Sequence, residues 1–164
     1  MYAIWLTFSK NDRKYLKNII NNIAKKYNAP KFEPHITVYG LIDLEINVIK
    51  KIINKISDNH NVFVTKKIKI QQSNDLWKTI YIELEYGKEL KLIYKNLKES
   101  FKDPIKYQFN PHLSLIYKIL PTKEKIKIIN QLDIKNKFKI EEMAILKFFP
   151  EIEKWKIIKK YDLK

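Results

Sequence analysis

Apolar residues recur along the chain in two alternating periods. YAIWLTF (residues 2–8) is a nearly unbroken apolar run, as in a buried strand, whereas NDRKYLKNIINNIAKKY (11–27) places Leu16, Ile19, Ile20 and Ile23 at helical spacing. Ser9 or Asn11 is suited to cap that helix. FEPHITVYG (32–40) reads as a strand entered through Pro34 and left through Gly40. A helix over 44–57 follows, with Ile49, Ile52, Ile53 and Ile56 on one side, and then strands over 62–71 and 77–86, the second rich in β-branched and aromatic residues. From Gly87 the order starts again: a helix over 87–101, a strand over 109–117, a helix over 121–132 and strands over 137–148 and 154–162.

The period of this repetition can be measured. A step of 77 residues from Phe32, Pro34, His35 and Thr37 arrives at Phe109, Pro111, His112 and Ser114, so F-x-P-H-x-T and F-x-P-H-x-S are one motif twice. The same step carries YAIWLT (2–7) onto TIYIEL (79–84) and VFVTKKIKI (62–70) onto KIEEMAILK (139–147), while WKTI at 77 is echoed by WKII at 155 with an offset of 78. Two copies are too few for a solenoid, so the halves, about 1–76 and 77–164, are expected to close on each other around a pseudo-two-fold axis. The predicted architecture is one bilobal α+β domain over 1–164, with two antiparallel sheets and helices outside.

Composition narrows the classes. A hydrophobic fraction of 45% in 164 residues is enough for one core, and no apolar run approaches the roughly 20 residues of a membrane span. The N-terminal residues do not read as a signal peptide, and with no cysteine there is neither a disulfide framework nor a thiolate nucleophile or metal ligand. A soluble, cytoplasmic monomer is expected. The net charge of +15 favours anionic partners, yet it comes almost wholly from scattered lysines and is read as a solvated basic surface ahead of a dedicated nucleic-acid face. Arg13 is the only arginine, so a bound phosphate must rely on His, Ser, Thr, Lys or backbone donors in place of a guanidinium fork.

Strand alternation puts His35 and Thr37 on one face and His112 and Ser114 on one face, with Ile36, Val38, Leu113 and Leu115 behind them. If the halves are two-fold related, two imidazoles and two hydroxyls meet across one cleft. Such a pair is suited to general acid-base chemistry: a neutral ring takes a proton from water, a protonated ring gives one to a departing oxygen, and the Thr37 and Ser114 hydroxyls donate to the non-bridging oxygens of a phosphorus centre. Neither role needs a metal, and no cofactor is expected. A single H-x-T is a weak pattern, but a purely structural histidine would not require a hydroxyl on the same side in both copies. His60, in SDNHN, has no repeat partner and is read as a surface loop residue.

HITV (35–38) and HLSL (112–115) resemble the paired motifs of the 2H phosphoesterase superfamily, and the order of elements is similar to its LigT-like fold. YAIWL, FEPHITVYG and NPHLSLIY look most like the cyclic phosphodiesterase branch. In the bacterial RNA 2′,5′-ligase-like branch the first motif is commonly followed by arginine, where this chain has Tyr39 and Gly40. The resemblance implies hydrolysis of nucleoside 2′,3′-cyclic phosphates and ADP-ribose 1″,2″-cyclic phosphate, with His35 and His112 catalytic and Thr37 and Ser114 binding phosphate. It also suggests aromatics at the cleft rim that stack a nucleobase, drawn from Tyr2, Trp5, Tyr39, Trp77 and Tyr117, of which Tyr117 and Trp77 are preferred. Lys78 is a candidate for added positive charge. Two rivals stand beside this reading: the same chemistry on 2′,5′-linked or cyclic oligonucleotides used as defence signals, and an RNA-end binding or ligating protein.

Overall fold

In the computed structural model, which describes residues 1–102 and 107–164, the chain runs β1 (Tyr2–Phe8), α1 (Lys10–Tyr27), β2 (Ile36–Ile42), α2 (Ile46–Ser57), β3 (Phe63–Gln72), β4 (Ile80–Leu84), α3 (Lys88–Phe101), β5 (His112–Ile116), α4 (Thr122–Gln131), β6 (Lys137–Lys147) and β7 (Lys156–Asp162). The start of α1 follows from local chemistry, since the Asp12 N–H donates to the Ser9 side chain at 3.3 Å. It stops at Asn28, which takes the left-handed conformation (φ 48°) and donates its N–H to the Ala24 carbonyl. Leu16, Ile20, Ile23 and Ala24 form its buried stripe.

The strands are antiparallel in the order β2-β1-β6-β3-β4-β5, with β7 also on β6. β3 joins two sheets: Phe63–Lys66 pair with β6, and Lys67–Gln72 pair with β4. In one lobe β1 and β2 are therefore completed by β6, and in the other β4 and β5 are completed by β3, so each borrows a strand from the opposite half of the sequence. Phe63 stands directly opposite Ile140, the residue one 77-step away. Helices cross over in the same manner, with α1 against β5 as well as β1, and α3 against β2. A continuous apolar core from Ile4 and Leu6 through Ile80, Ile82, Leu113 and Ile145 lies between these layers.

Three sequence expectations need correction. Residues 77–78 and 154 do not open strands; each belongs to a 3-10 turn (Leu76–Lys78 and Ile152–Lys154), the first fixed by the Trp77 N–H donating to the Asp75 carboxylate at 2.9 Å. β2 and β5 begin later than expected, so His35 immediately precedes its strand and His112 opens its own. His60 lies in a loop but is 6% exposed. Its ring turns inward against α3, where Asn96 Nδ2 is 3.0 Å from Nε2 and a Glu89 oxygen is 3.7 Å from Nδ1. The His60 carbonyl accepts from the Lys164 N–H (2.9 Å), which ties Lys164 to this loop.

Both motif strands carry a bulge at the same place. Trp5 pairs with Thr37 but Ile4 pairs with Tyr39, leaving Val38 as an extra residue; Tyr81 pairs with Ser114 but Ile80 pairs with Ile116, leaving Leu115 extra. One extra residue inverts the alternation beyond it. Tyr39, which strict parity places beside Thr37, enters the core against Phe101, Tyr94 and Tyr107. Tyr117, which strict parity turns away, comes to the cleft side with His35 and Trp77.

Candidate active site

A cleft of about 500 Å³ lies between the lobes, and its lining includes His35, Thr37, Asp75, Trp77, Lys78, His112, Tyr117 and Trp155. Both motif histidines reach it in the same way. The ring Nδ1 of His35 is 2.6 Å from the Glu33 carbonyl, and that of His112 is 2.7 Å from the Asn110 carbonyl. A carbonyl only accepts, so Nδ1 carries the proton in both rings, and Nε2 is the nitrogen left for chemistry.

The two surroundings then diverge. His35 is 5% exposed and lies flat on the indole of Trp5, with ring centroids 3.5 Å apart and planes 8° from parallel. The Tyr117 hydroxyl is 3.3 Å from its Nε2 and, since Nδ1 holds the ring proton, is the donor. Burial pushes the His35 pKa down to about 3, and nearby His112 adds to this, against the opposing hydrogen bond to the Glu33 carbonyl. Burial pushes Tyr117 upward, so its hydroxyl stays protonated. His112 is half-buried, with the Tyr81 ring edge-on at 5.7 Å. Its pKa is lowered mainly by burial; the Asn110 carbonyl opposes this, Lys78 lowers it further and Asp75 raises it.

The hydroxyls differ as well. Thr37 is half-buried and lines the cleft. Ser114 is 5% exposed and donates to the Trp77 carbonyl at 2.6 Å, which ties β5 to the turn that carries Trp77 and Lys78.

The family model described as cyclic phosphodiesterase-like protein matches residues 1–163. The chain belongs to that family. It is accordingly a phosphodiesterase of the 2H phosphoesterase superfamily. It is 21% identical over 125 residues to the cyclic phosphodiesterase of Arabidopsis thaliana, covering 76% of this chain and 69% of that protein. Among solved structures it is similar to TT0787 of Thermus thermophilus (TM-score 0.68, 10% identity, covering 99% of this chain and 97% of that one). It is also similar to E. coli LigT complexed with 3′-AMP (TM-score 0.65, 11% identity, the same coverage). At such identity the structural matches speak to the fold, which is the LigT-like arrangement of helices and antiparallel sheet.

Within this cyclic phosphodiesterase-like chain, the residues singled out from sequence separate into three groups. His35, Thr37, His112, Trp77, Tyr117 and Lys78 line one cleft, with Ser114 bonded to its wall. Trp5 is at the site without being at its rim: 2% exposed, it is the surface beneath His35. Tyr39 is buried in the core, and Tyr2 packs against the core at the start of β1, outside the cleft lining.

Trp155 was missed. Its indole stacks near Trp77 (5.6 Å, 27°), and its Nε1 donates to the Phe149 carbonyl at 2.9 Å. The WKII echo of WKTI at 77 was the signal that could have found it. Among the described residues, no group of three or more His, Asp or Glu side chains is placed to hold a metal ion. No helix there is long and apolar enough to cross a membrane.

Proposed function

We propose that this protein hydrolyses small cyclic phosphodiesters, nucleoside 2′,3′-cyclic phosphates and ADP-ribose 1″,2″-cyclic phosphate, through His35 and His112 and without a metal. The observation that carries the reading is the duplicated tether: each ring is held by the carbonyl two residues earlier, so both Nε2 atoms are kept for one reactant. His35, which burial keeps neutral, is the base and takes the proton of the attacking water, which replaces the Tyr117 hydroxyl at Nε2. His112, nearer solvent, is protonated as the anionic phosphate arrives and gives its proton to the ribose oxygen that departs from phosphorus. Thr37, Lys78 and a Ser114 hydroxyl turned from the Trp77 carbonyl offset the charge that builds on the non-bridging oxygens. Trp77 and Trp155 give a nucleobase an aromatic surface.

A volume of about 500 Å³ suits a mononucleotide and supports a small ligand over an oligonucleotide. E. coli LigT holds 3′-AMP in its crystal structure, which agrees with a ligand of this size. The reading takes the whole of 1–164 as one catalytic unit built from two copies of a half-unit. The test is a product assay offering ADP-ribose cyclic phosphate, the four nucleoside 2′,3′-cyclic phosphates and cyclic oligonucleotides side by side, with and without EDTA. Turnover of the first two classes with a bell-shaped pH profile and no response to EDTA is expected. Turnover of cyclic oligonucleotides alone, or loss of activity on chelation, overturns the reading.

A further inference from the structure

We propose that Lys125, on α4 and outside the cleft, is a positioning residue that fixes the loop over His112. It is 1% exposed, and its ammonium donates to the Ser73 carbonyl (2.7 Å) and to Asn74 Oδ1 (2.9 Å). An ammonium taken out of water requires fixed acceptors, so these two are held as firmly as the lysine is. The held segment is itself closed. The Ser73 N–H donates to the Thr79 carbonyl (3.2 Å), the Ser73 hydroxyl to the Lys78 carbonyl (2.8 Å), and the Thr79 hydroxyl to the Asp75 carbonyl (3.2 Å). A displacement at 73–74 is therefore carried through to 78.

That loop presents three things to the site: the Trp77 carbonyl that receives the Ser114 hydroxyl, the Trp77 ring, and the charged pair Asp75 and Lys78 beside His112. The groups facing His112 are thus Asp75 and Lys78 from the loop, His35 across the cleft, Tyr117 lining the same cleft beyond the end of β5, and Tyr81 with the cross-strand Glu83 on β4. Only the first two move with the loop. The device belongs to one side alone. One 77-step back from Lys125 stands Val48, 45% exposed, and the corresponding segment near 149–155 is instead fastened by the Trp155 indole.

Lys125→Met keeps the length and burial of the side chain and removes its donors. The direct readout is an NMR pH titration of the histidine Cε1–H signals, with three histidines to resolve. With the loop slack, burial of His112 eases and Lys78 withdraws, so the His112 midpoint should rise by about 0.5 unit or more. Resting on the proposed hydrolysis, KM for a nucleoside 2′,3′-cyclic phosphate should rise on the order of fivefold with a smaller change in kcat. Asn74→Ala, a change on the loop surface, should move both in the same direction by less, and it carries the test should Lys125→Met not fold. An unchanged His112 midpoint and KM in the folded variants overturns the positioning role. If the unmodified protein fails to open cyclic phosphates, the proposed hydrolysis falls while the titration still decides the role of Lys125.

Discussion

His35 lies beneath Trp5 with its pKa pushed down to about 3, whereas His112 stands half-buried between Lys78, Asp75 and the edge of Tyr81. Both rings have the same carbonyl tether and sit in the same F-x-P-H-x-[ST] frame. The motif therefore sets orientation, and residues outside it set proton affinity. Trp5 comes from β1 and Tyr117 from beyond a bulge, while Lys78 and Asp75 come from a turn. Two copies of one motif can in this way supply a base and an acid, provided their neighbours differ.

The largest effect that tests this contrast is on turnover. His35→Ala and His112→Ala should each lower kcat by at least about 10²-fold on a cyclic phosphate. Equal, small losses measured by steady-state kinetics would remove the acid-base assignment altogether.

Next comes acid stability, where the two rings should differ most plainly. His35 binds its proton far less readily folded than unfolded, so the unfolded chain takes up protons first as pH falls below about 6.5. Stability is whole above that point and is lost downward toward about 3. The part due to His35 amounts to about 2 kcal/mol between pH 7 and pH 5. Urea titrations at the two pH values should show the loss in the unmodified protein and a markedly smaller one in His35→Gln. An identical pH dependence in both proteins would mean that His35 is not held neutral.

A smaller effect should separate the hydroxyls. Ser114→Ala frees the Trp77 carbonyl and should cost about 1 kcal/mol of stability. Thr37→Ala should cost less, although both should slow turnover. Thermal unfolding of the two variants measures the difference, and a reversed order would show that Ser114 does not brace the turn.

The motif side of the cleft was legible in sequence because proline, histidine and hydroxyl recur together at a fixed step, and strand alternation then brings each pair to one face. Alternation fails where a residue is inserted, and nothing in the local pattern announces Val38 or Leu115 as extra. Tyr39 and Tyr117 consequently exchanged roles relative to strict parity. Trp5 was legible as an apolar strand residue, but its place under His35 depends on register between β1 and β2. The burial of His60 was hidden because its neighbours are polar; its partners Asn96 and Glu89 lie on α3, beyond two intervening strands.

The exchange of third strands between lobes sets an order of assembly. β1 and β2 leave the ribosome early, yet the strand that completes their sheet, β6, lies at 137–147, deep in the second half. During synthesis the first ribbon must remain with an open edge until that second half has been made. A chain cut between the halves would leave each fragment holding the strand that the other needs, so the fragments should recover structure by mixing and not separately.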